Sequence, residues 1–259
     1  MHAAIAAFAE EVSREAGKIL LRGFRSDRTV VSYKSRTDIV TDCDKASEAF
    51  LVDAIAKRFP DHTIIAEEGS RRDAAGDYVW YVDPLDGTNN FAHGLPFFCV
   101  SIGVFSVRLE QIIAGVVYNP ILEETFTAVR GGGAFCNKKP IRVSSIKDIG
   151  ISLIATGFPY DKDISVNNNL KEFNRIILRI QGIRRMGSAA IDLSYVASGR
   201  LDGYWEGKLN PWDMAAGSLI VEEAGGMVTR YNGGPFHPEY PEIAASNGLI
   251  HAQLIQLLS

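Results

Sequence analysis

The sequence predicts a mixed α/β fold built as one domain over residues 1–259. Apolar residues near the N-terminus repeat at helical spacing, and three β-type runs follow one another between Phe97 and Val129. From about residue 150 strands and helices alternate, and no repeat or linker separates the two patterns. We therefore predict an N-terminal half of about 1–147 with an antiparallel-rich sheet, and a C-terminal half of about 148–259.

The N-terminal half begins with two predicted helices. The first has an apolar stripe that includes Ile5, Phe8, Val12 and Leu20, and the second is capped by Thr41 or Asp42. Runs rich in β-branched and aromatic residues predict strands, which are 63–66, 78–82, 97–107, 112–118 and 124–129.

The C-terminal half alternates predicted strands and helices. Strands are predicted at 151–155, 201–205, 227–230 and 243–245. Helices are predicted at 167–181, from Gly187-Ser188-Ala189 to Gly199, at 213–224 and at 249–257.

Composition narrows the range of functions. The chain is 46% hydrophobic and 22% charged, with a net charge of −4 and no basic block, so direct nucleic-acid binding is not expected. No apolar run is long enough to span a bilayer, and the N-terminus lacks the basic region of a signal peptide. Cys43, Cys99 and Cys136 are scattered, which favours free thiols in the cytoplasm.

The segment Asp83-Pro84-Leu85-Asp86-Gly87-Thr88 carries the first chemical signal. It follows a predicted strand, and a helix starting near Thr88 or Asn89 would present free backbone N–H groups to an anion. Taken alone, the motif is also compatible with a turn exposed to solvent.

Acidic residues follow other elements in the same way. Glu67-Glu68 ends a predicted strand and Asp213 begins a helix, where an aspartate also serves as an ordinary cap. Two carboxylates about 4 Å apart repel by about 4 kcal/mol at an effective dielectric constant of 20, so a cluster of four needs cations. Oxygen ligands without His or Cys favour Mg²⁺ over Zn²⁺.

The order of these motifs resembles the inositol monophosphatase family. The resemblance rests on Glu67-Glu68, on Asp83-Pro84-Leu85-Asp86-Gly87-Thr88, and on Trp212-Asp213-Met214-Ala215-Ala216-Gly217. It extends to Gly131–Asn137, Gly187-Ser188-Ala189 and Glu222-Glu223-Ala224-Gly225-Gly226, so it covers nearly the whole chain. It implies an α/β sandwich of α-β-α-β-α layers and Mg²⁺-dependent hydrolysis of a phosphate monoester by two metal ions.

The resemblance also implies roles for individual residues. Glu67, Asp83 and the Leu85 carbonyl hold one Mg²⁺, and Asp83, Asp86 and Asp213 hold the other. Thr88, hydrogen-bonded to Asp42, helps to deprotonate the attacking water, which makes Thr88, Asp42 and Glu67 the catalytic candidates. The amides of Gly87 and Thr88 bind the phosphate. The candidates for the leaving-group pocket are Gly187, Ser188, Ala189, Glu206 and Asp213.

Several questions stay open at the level of sequence. Inositol monophosphate is the first choice of substrate, and fructose 1,6-bisphosphate, 3′-phosphoadenosine phosphates and histidinol phosphate are alternatives. A chain acting mainly as a binding partner in a larger assembly is a second alternative. The resemblance further implies a homodimer and inhibition by Li⁺.

For a few residues near these motifs the sequence leaves alternative roles open. Lys34 lies near an outer metal or is solvated, and His93 is predicted to pack on a helix. Arg184 and Arg185 contact substrate, lie in a subunit interface or are solvated, and the interface is favoured for one of them.

Overall fold

The structure is a computed structural model that describes residues 1–26 and 29–259. In these residues the helices are α1 His2–Gly23, α2 Asp42–Arg58, α3 Thr88–Ala92, α4 Leu170–Ile176, α5 Ala189–Ala197, α6 Pro211–Glu223 and α7 His251–Leu258. The strands up to residue 140 are β1 Val31–Tyr33, β2 Ile39–Thr41, β3 Thr63–Ala66, β4 Arg71–Arg72, β5 Tyr78–Asp86, β6 Cys99–Ser106, β7 Gln111–Asn119, β8 Glu124–Val129, β9 Gly133–Cys136 and β10 Lys139–Pro140. The later strands are β11 Leu153–Thr156, β12 Gly182–Arg184, β13 Gly203–Gly207, β14 Met227–Thr229 and β15 Glu242–Ser246.

Two large sheets organise the chain, beside a small ribbon of β1 and β2. The first sheet has the strand order β10-β9-β8-β7-β6-β5-β3-β4 and is antiparallel except for the pair β3 and β5. The second has the order β12-β11-β13-β15-β14, with β12, β11 and β13 parallel and the remaining pairs antiparallel. The predicted antiparallel-rich and mixed sheets are therefore confirmed.

Helices cover both faces of each sheet. Residues of α1 and α2 share one buried cluster with the outer face of the first sheet. Residues of α5 and α6 lie in a second cluster with side chains of both sheets, and α4 and α7 cover the outer face of the second sheet. The order of layers is thus α-β-α-β-α, as the resemblance to the inositol monophosphatase family implied.

Helix α6 lies close to the first sheet because both surfaces carry small residues. A Cβ atom added to Gly103 on β6 would lie 2.5 Å from the Ala215 Cβ, and one added to Gly115 on β7 would lie 2.7 Å from the Ala216 carbonyl oxygen. Strand β6 is buried along its whole length, because α6 covers one face of it and the cluster with α1 and α2 covers the other. This close packing fixes the first turn of α6, which carries Asp213, against the end of β5.

Some predicted boundaries were wrong. The helix predicted at 167–181 covers only Leu170–Ile176. It begins late because Asn169 is its N-cap with φ 67°, and the Asn169 side chain bonds Thr156, Gly157 and Trp205. Leu170, predicted to face inward, is 48% exposed.

Two further predictions near the site need correction. Helix α6 begins at Pro211 with Asn210 as its N-cap, so Asp213 is the third helical residue and completes a capping box. His93 follows α3 as its C-cap and is exposed rather than packed.

Candidate active site

A single cleft gathers nearly all the residues that the sequence pointed to. It encloses about 810 Å³, part of it open to solvent, between the end of β5, the first turns of α3, α5 and α6, and strand β13. The predicted residues that line it are Glu67, Asp83, Leu85, Asp86, Gly87, Thr88, Gly187, Ser188, Ala189, Glu206 and Asp213. Asp42 is not among its lining residues.

The sheet register brings Glu67 and Asp83 side by side. Strands β3 and β5 are parallel with Ala66 opposite Val82, and the Glu67 amide donates to the Val82 carbonyl at 3.1 Å. Because the two strands leave the sheet at the same edge, the residues that follow Ala66 and Val82 are neighbours.

An irregularity in β5 lets Asp83 and Asp86 share the cleft. Residues three apart on a regular strand face opposite sides of the sheet. Here the pairing with β6 shifts between Asp83 and Asp86, and the Leu85 amide donates to Asp83 Oδ1 at 3.0 Å. The strand thus continues to Asp86, four residues beyond the predicted end at Val82.

Two of the acids also hold helix starts in place. Asp86 Oδ2 accepts hydrogen bonds from Ser188 Oγ at 2.7 Å and from the Ala190 amide at 2.8 Å, which ties β5 to the first turn of α5. Asp213 Oδ2 accepts from the Asn210 amide at 2.7 Å. The backbone therefore sets the positions of the acids on three elements: after β3 for Glu67, at the end of β5 for Asp83 and Asp86, and in the first turn of α6 for Asp213.

The negative charges of Glu67, Asp83, Asp86 and Asp213 repel one another. Burial, and then the carboxylates of Glu67, Asp86 and Asp213, raise the pKa of Asp83 well above its usual range. Burial also raises the pKa of Asp86 and of Asp213, and it raises that of Glu67 to about 8 against the opposing charge of Lys34. Lys34 Nζ lies 3.8 Å from Glu67 Oε1 and 2.6 Å from Glu68 Oε1.

The donor set fits Mg²⁺. Four carboxylates at the cleft floor and the Leu85 carbonyl provide only oxygen atoms, and a divalent cation would relieve their repulsion. Within residues 1–26 and 29–259, no three acidic, His or Cys side chains already converge as they do around a bound ion. Asp83, Asp86 and Asp213 instead accept hydrogen bonds from nearby protein donors.

The predicted hydrogen bond between Thr88 and Asp42 was wrong. Thr88 Oγ1 lies 3.0 Å from Asp44 Oδ1 and 3.0 Å from the Leu85 carbonyl oxygen. Asp42 is exposed, and its Oδ1 accepts from the Val30 amide at 3.1 Å.

Helix capping explains this difference. Thr41 is the N-cap of α2, so Asp42 is the first helical residue and Asp44 is the third. The capping box turns the Asp44 carboxylate back to the Thr41 amide at 2.9 Å and into the protein. Burial raises the pKa of Asp44 to about 6, against hydrogen bonds from Thr41 and Thr88 that lower it.

The opposite side of the cleft is formed by the loop before α5 and by β13. Asn90, which the sequence analysis did not single out, donates from Nδ2 to the carbonyls of Phe97 and Met186, both at 2.7 Å, and so holds this loop to the motif at 83–88. Its place two residues after Thr88 was the available sequence signal. Glu206 Oε2 accepts from the Tyr204 hydroxyl, and burial raises the pKa of Glu206 to about 7.

The rim of the cleft contains Tyr160, which no sequence pattern indicated, and Arg185, for which the sequence left contact with substrate as one of three alternatives. Tyr160 and Arg185 line the cleft. Thr37 Oγ1 donates to the Tyr160 carbonyl at 2.7 Å, which joins the β1–β2 turn to the loop after β11.

Comparisons with known proteins identify the family of the chain. The inositol monophosphatase family matches residues 1–259. An inositol-1-monophosphatase of Synechocystis is 48% identical over 223 residues, which are 86% of this chain and 77% of that protein. A protein of Pasteurella multocida called Nus factor SuhB is 46% identical over 224 residues, which are 86% of this chain and 83% of that protein.

A solved structure agrees over a greater length. The inositol monophosphatase of Anabaena superposes with a TM-score of 0.89 at 40% identity, covering 98% of this chain and 95% of that one. The chain belongs to the inositol monophosphatase family.

Proposed function

We propose that this protein hydrolyses a phosphate monoester with Mg²⁺, and that inositol monophosphate is its substrate. The observation that carries the proposal is the meeting of Glu67, Asp83, Asp86 and Asp213 in one cleft, beside the amides of Gly87 and Thr88. The 48% identity to the Synechocystis inositol-1-monophosphatase supports the choice of substrate.

The acids divide into two overlapping ligand sets. Glu67, Asp83 and the Leu85 carbonyl would hold one Mg²⁺, and Asp83, Asp86 and Asp213 would hold a second, so Asp83 is shared. When bound, Mg²⁺ would lower the pKa of a water molecule and stabilise negative charge on the transferred group and the leaving oxygen. The raised pKa values of these acids mean that metal binding would displace protons from them.

Thr88 and Asp44 would handle the proton of the attacking water. Thr88 Oγ1 can pass its hydrogen to Asp44 Oδ1, 3.0 Å away, while it accepts one from water in the cleft. A pKa of about 6 for Asp44 leaves it mainly ionised at neutral pH and able to take up that proton. Asp44 therefore replaces Asp42 in the proposed catalytic set, beside Thr88 and Glu67.

The turn at Gly87 would place the phosphate. Gly87 has φ 96°, and a Cβ atom there would lie 2.7 Å from the Phe97 carbonyl oxygen, so another residue would strain the turn. With Gly87 as N-cap of α3, its amide and that of Thr88 are free of intrahelical partners and suit an anion.

The leaving group would lie between Glu206 and the loop at Gly187–Ala189. Ser188 Oγ already donates to Asp86, so its contribution is to hold the loop rather than to donate to substrate. Glu206 would accept hydrogen bonds from the hydroxyl groups of the leaving group.

Replacing Glu206 by alanine should raise KM for inositol 1-phosphate about 10- to 100-fold. A hydrogen bond to a charged group contributes about 1.5–3 kcal/mol, and its loss falls on binding of the leaving group. Steady-state phosphate release measures the change, and calorimetry with Mg²⁺ should give an unchanged metal affinity. Glu206→Gln, which keeps an acceptor for Tyr204, controls for local unfolding. A collapse of Mg²⁺ affinity would mean that Glu206 is a metal ligand and that the proposed role is wrong.

A substrate panel tests the proposed function itself. Phosphate release with Mg²⁺ would be compared for inositol 1-phosphate, fructose 1,6-bisphosphate, 3′-phosphoadenosine 5′-phosphate and histidinol phosphate. We expect the highest kcat/KM for inositol 1-phosphate. A higher value for another member corrects the substrate, and no release from any of them overturns the phosphatase proposal.

A role as a binding partner in a larger assembly is the second candidate. The 46% identity to a protein called Nus factor SuhB favours it, and that role is compatible with an intact acid cluster. Asp83→Asn separates the two functions, because it should remove turnover and leave any assembly role unchanged.

Two further properties belong to the same proposal. We place the protein in the cytoplasm, where its free thiols Cys43, Cys99 and Cys136 would stay reduced, and we expect a homodimer. In the described residues no helix is long and apolar enough to cross a bilayer.

Li⁺ is expected to inhibit phosphate release uncompetitively with respect to substrate. Asp83, Asp86 and Asp213 form a site dense in negative charge, and Li⁺ is close to Mg²⁺ in size with half its charge. If Li⁺ enters this site only beside bound phosphate, kcat and KM should fall together. Kinetics across LiCl concentrations, with NaCl keeping the ionic strength constant, measure the pattern. Purely competitive inhibition would contradict this site of action, as would no inhibition in the millimolar range.

A further inference from the structure

The loop at residues 157–165, which follows β11 and is called the outer loop below, forms one wall of the cleft. Its residues that line the cleft are Gly157, Phe158, Pro159 and Tyr160. The beginning of the loop is held by the protein core, because Asn169 donates from Nδ2 to the Gly157 carbonyl and the ring of Phe158 lies 5.5 Å from that of Phe173. This end of the wall is therefore well anchored.

The far end of the outer loop lies mostly in solvent. Ile164 is 84% exposed, and Val166, directly after the loop, is 95% exposed. The amides of Ile164 and Ser165 donate to the Asp161 carbonyl at 3.0 and 2.9 Å, so this end forms a turn of its own. Apolar burial contributes little to keeping that turn against the cleft, and polar bonds have to do so.

Lys208 supplies polar bonds from the other side of the cleft. It directly follows β13, and its Nζ donates to Asp161 Oδ2 at 2.7 Å and to Ser165 Oγ. We call these two bonds the Lys208 latch. Lys208 has φ 61°, a left-handed conformation that costs a lysine more than a glycine, and the side chain at this strained position is the one that makes both bonds.

Lys208 and Pro159 stand between the cleft and a second cavity. That cavity encloses about 1010 Å³, part of it open to solvent, and both residues line it as well as the cleft. Asn167, Glu172 and Glu242 are among the polar side chains on its far side, and they suit the hydroxyl groups of a sugar ring. The latched loop therefore separates the leaving-group pocket from space that a larger polyol could use.

We propose that Lys208 is a specificity-determining residue that keeps the outer loop between the two cavities and so restricts the leaving group to a single ring. This inference rests on the proposed function and extends it to the size of the polyol. Lys208 acts through Asp161 and Ser165, and loss of the latch would join the two cavities.

A direct attraction between the Lys208 charge and the phosphate would give a different pattern. In that case Lys208→Met would raise KM for every phosphate ester, and Asp161→Asn would free the lysine and lower KM for every ester. The latch predicts instead that both substitutions act in the same direction, and only on substrates with a larger leaving group. The two partners of one ion pair thus distinguish the two roles.

The size of the effect follows from the exposure of the latch. The side chains of Lys208 and Asp161 are 35% and 46% exposed, and a partly exposed ion pair shifts an equilibrium by up to about fivefold. A one-ring substrate binds the latched arrangement, which remains the majority, so its kcat/KM should change by less than about twofold. A two-ring substrate binds the unlatched minority and gains in proportion to it, by about fivefold.

The test measures kcat/KM with Mg²⁺ for inositol 1-phosphate, glucose 6-phosphate and trehalose 6-phosphate. Trehalose 6-phosphate has the same C6 ester as glucose 6-phosphate with a second ring added. For Lys208→Met we expect about a fivefold gain with trehalose 6-phosphate and less than about a twofold change with the one-ring substrates. Asp161→Asn, which keeps an oxygen that can accept from Lys208, should show a smaller gain in the same direction. The double variant should gain no more than Lys208→Met, because both substitutions act on one ion pair.

Lys162→Met and Asp163→Asn are matched controls. They remove the same charges from exposed positions of the same loop and leave the latch in place. Both should match the wild type with all three substrates.

The outcomes separate this inference from the proposed function. The role of Lys208 is overturned if trehalose 6-phosphate shows no gain in Lys208→Met, if glucose 6-phosphate gains equally, or if the control variants gain as much. Opposite shifts in Lys208→Met and Asp161→Asn also overturn it and assign the lysine to the phosphate. No phosphate release from any of the three substrates by the wild type overturns the proposed function, and this inference with it.

Hydrogen exchange gives a readout that does not depend on turnover. Without substrate or Mg²⁺, the amides of Ile164 and Ser165 should exchange about fivefold faster in Lys208→Met than in the wild type, because the turn at Asp161 has lost its tie to β13. Lys162→Met should exchange at the wild-type rate. Equal rates in Lys208→Met and the wild type contradict the latch.

Discussion

Replacing Asp83 by asparagine is expected to reduce phosphate release by at least about a thousandfold while the fold remains intact. Asp83 is 1% exposed and is shared by both proposed metal positions, so losing its charge weakens both at once. Asparagine keeps an oxygen that can accept from the Leu85 amide, which Asp83 Oδ1 accepts at 3.0 Å. Turnover at saturating Mg²⁺ measures the effect.

The thermal stability of Asp83→Asn should change in a direction that a generally destabilising substitution would not produce. Without metal, its thermal midpoint should equal or exceed that of the wild type, because a carboxylate repelled by Glu67, Asp86 and Asp213 has been removed. Added Mg²⁺ should stabilise the wild type by RT ln(1 + [Mg²⁺]/Kd) and the variant much less. Asp53→Asn, a surface acid paired with Lys57, is the control and should behave like the wild type. Wild-type turnover in Asp83→Asn would refute the shared-ligand assignment.

Asp44→Asn is expected to lower kcat on the order of a hundredfold, whereas Asp42→Asn should change it by less than about twofold. Asp44 Oδ1 is within hydrogen-bond distance of Thr88 Oγ1, and Asp42 instead accepts from the Val30 amide. The two aspartates are two residues apart on the same helix turn, so they form a matched pair for kinetic analysis.

Capping has to be separated from catalysis in this comparison. Asp44 also completes the capping box of α2, so its replacement should cost about 1 kcal/mol of stability. Kinetics well below the melting temperature, together with a thermal melt of each variant, separate the two effects. A large loss of kcat in Asp42→Asn with none in Asp44→Asn would restore the assignment made from sequence.

The sequence predicted the parts of the site that depend on local chain order. Asp83, Asp86 and Gly87 lie in one motif, and the strand and helix on either side of it follow from residue type and turn chemistry. Glu67 and Asp213 were predicted because each stands where an element begins or ends. All five line the same cleft.

The errors arose where one side chain decides the outcome. A capping box at Thr41 and Asp44 determines which aspartate faces Thr88, and residue spacing alone does not distinguish Asp42 from Asp44. The start of α4 depends on Asn169, whose bonds to Thr156 and Trp205 exist only after β11 and β13 have paired. Helical periodicity carries no information on such contacts.

The central claim is that Glu67, Asp83, Asp86 and Asp213 together bind the divalent cations that the reaction needs. Anomalous diffraction from crystals of the protein soaked in MnCl₂, with Mn²⁺ as a heavier substitute for Mg²⁺, tests it most directly. We expect two peaks in this cleft, one in contact with Glu67 and Asp83 and one in contact with Asp83, Asp86 and Asp213. An active protein whose crystals show no peak at these carboxylates, or only peaks elsewhere, would contradict the account.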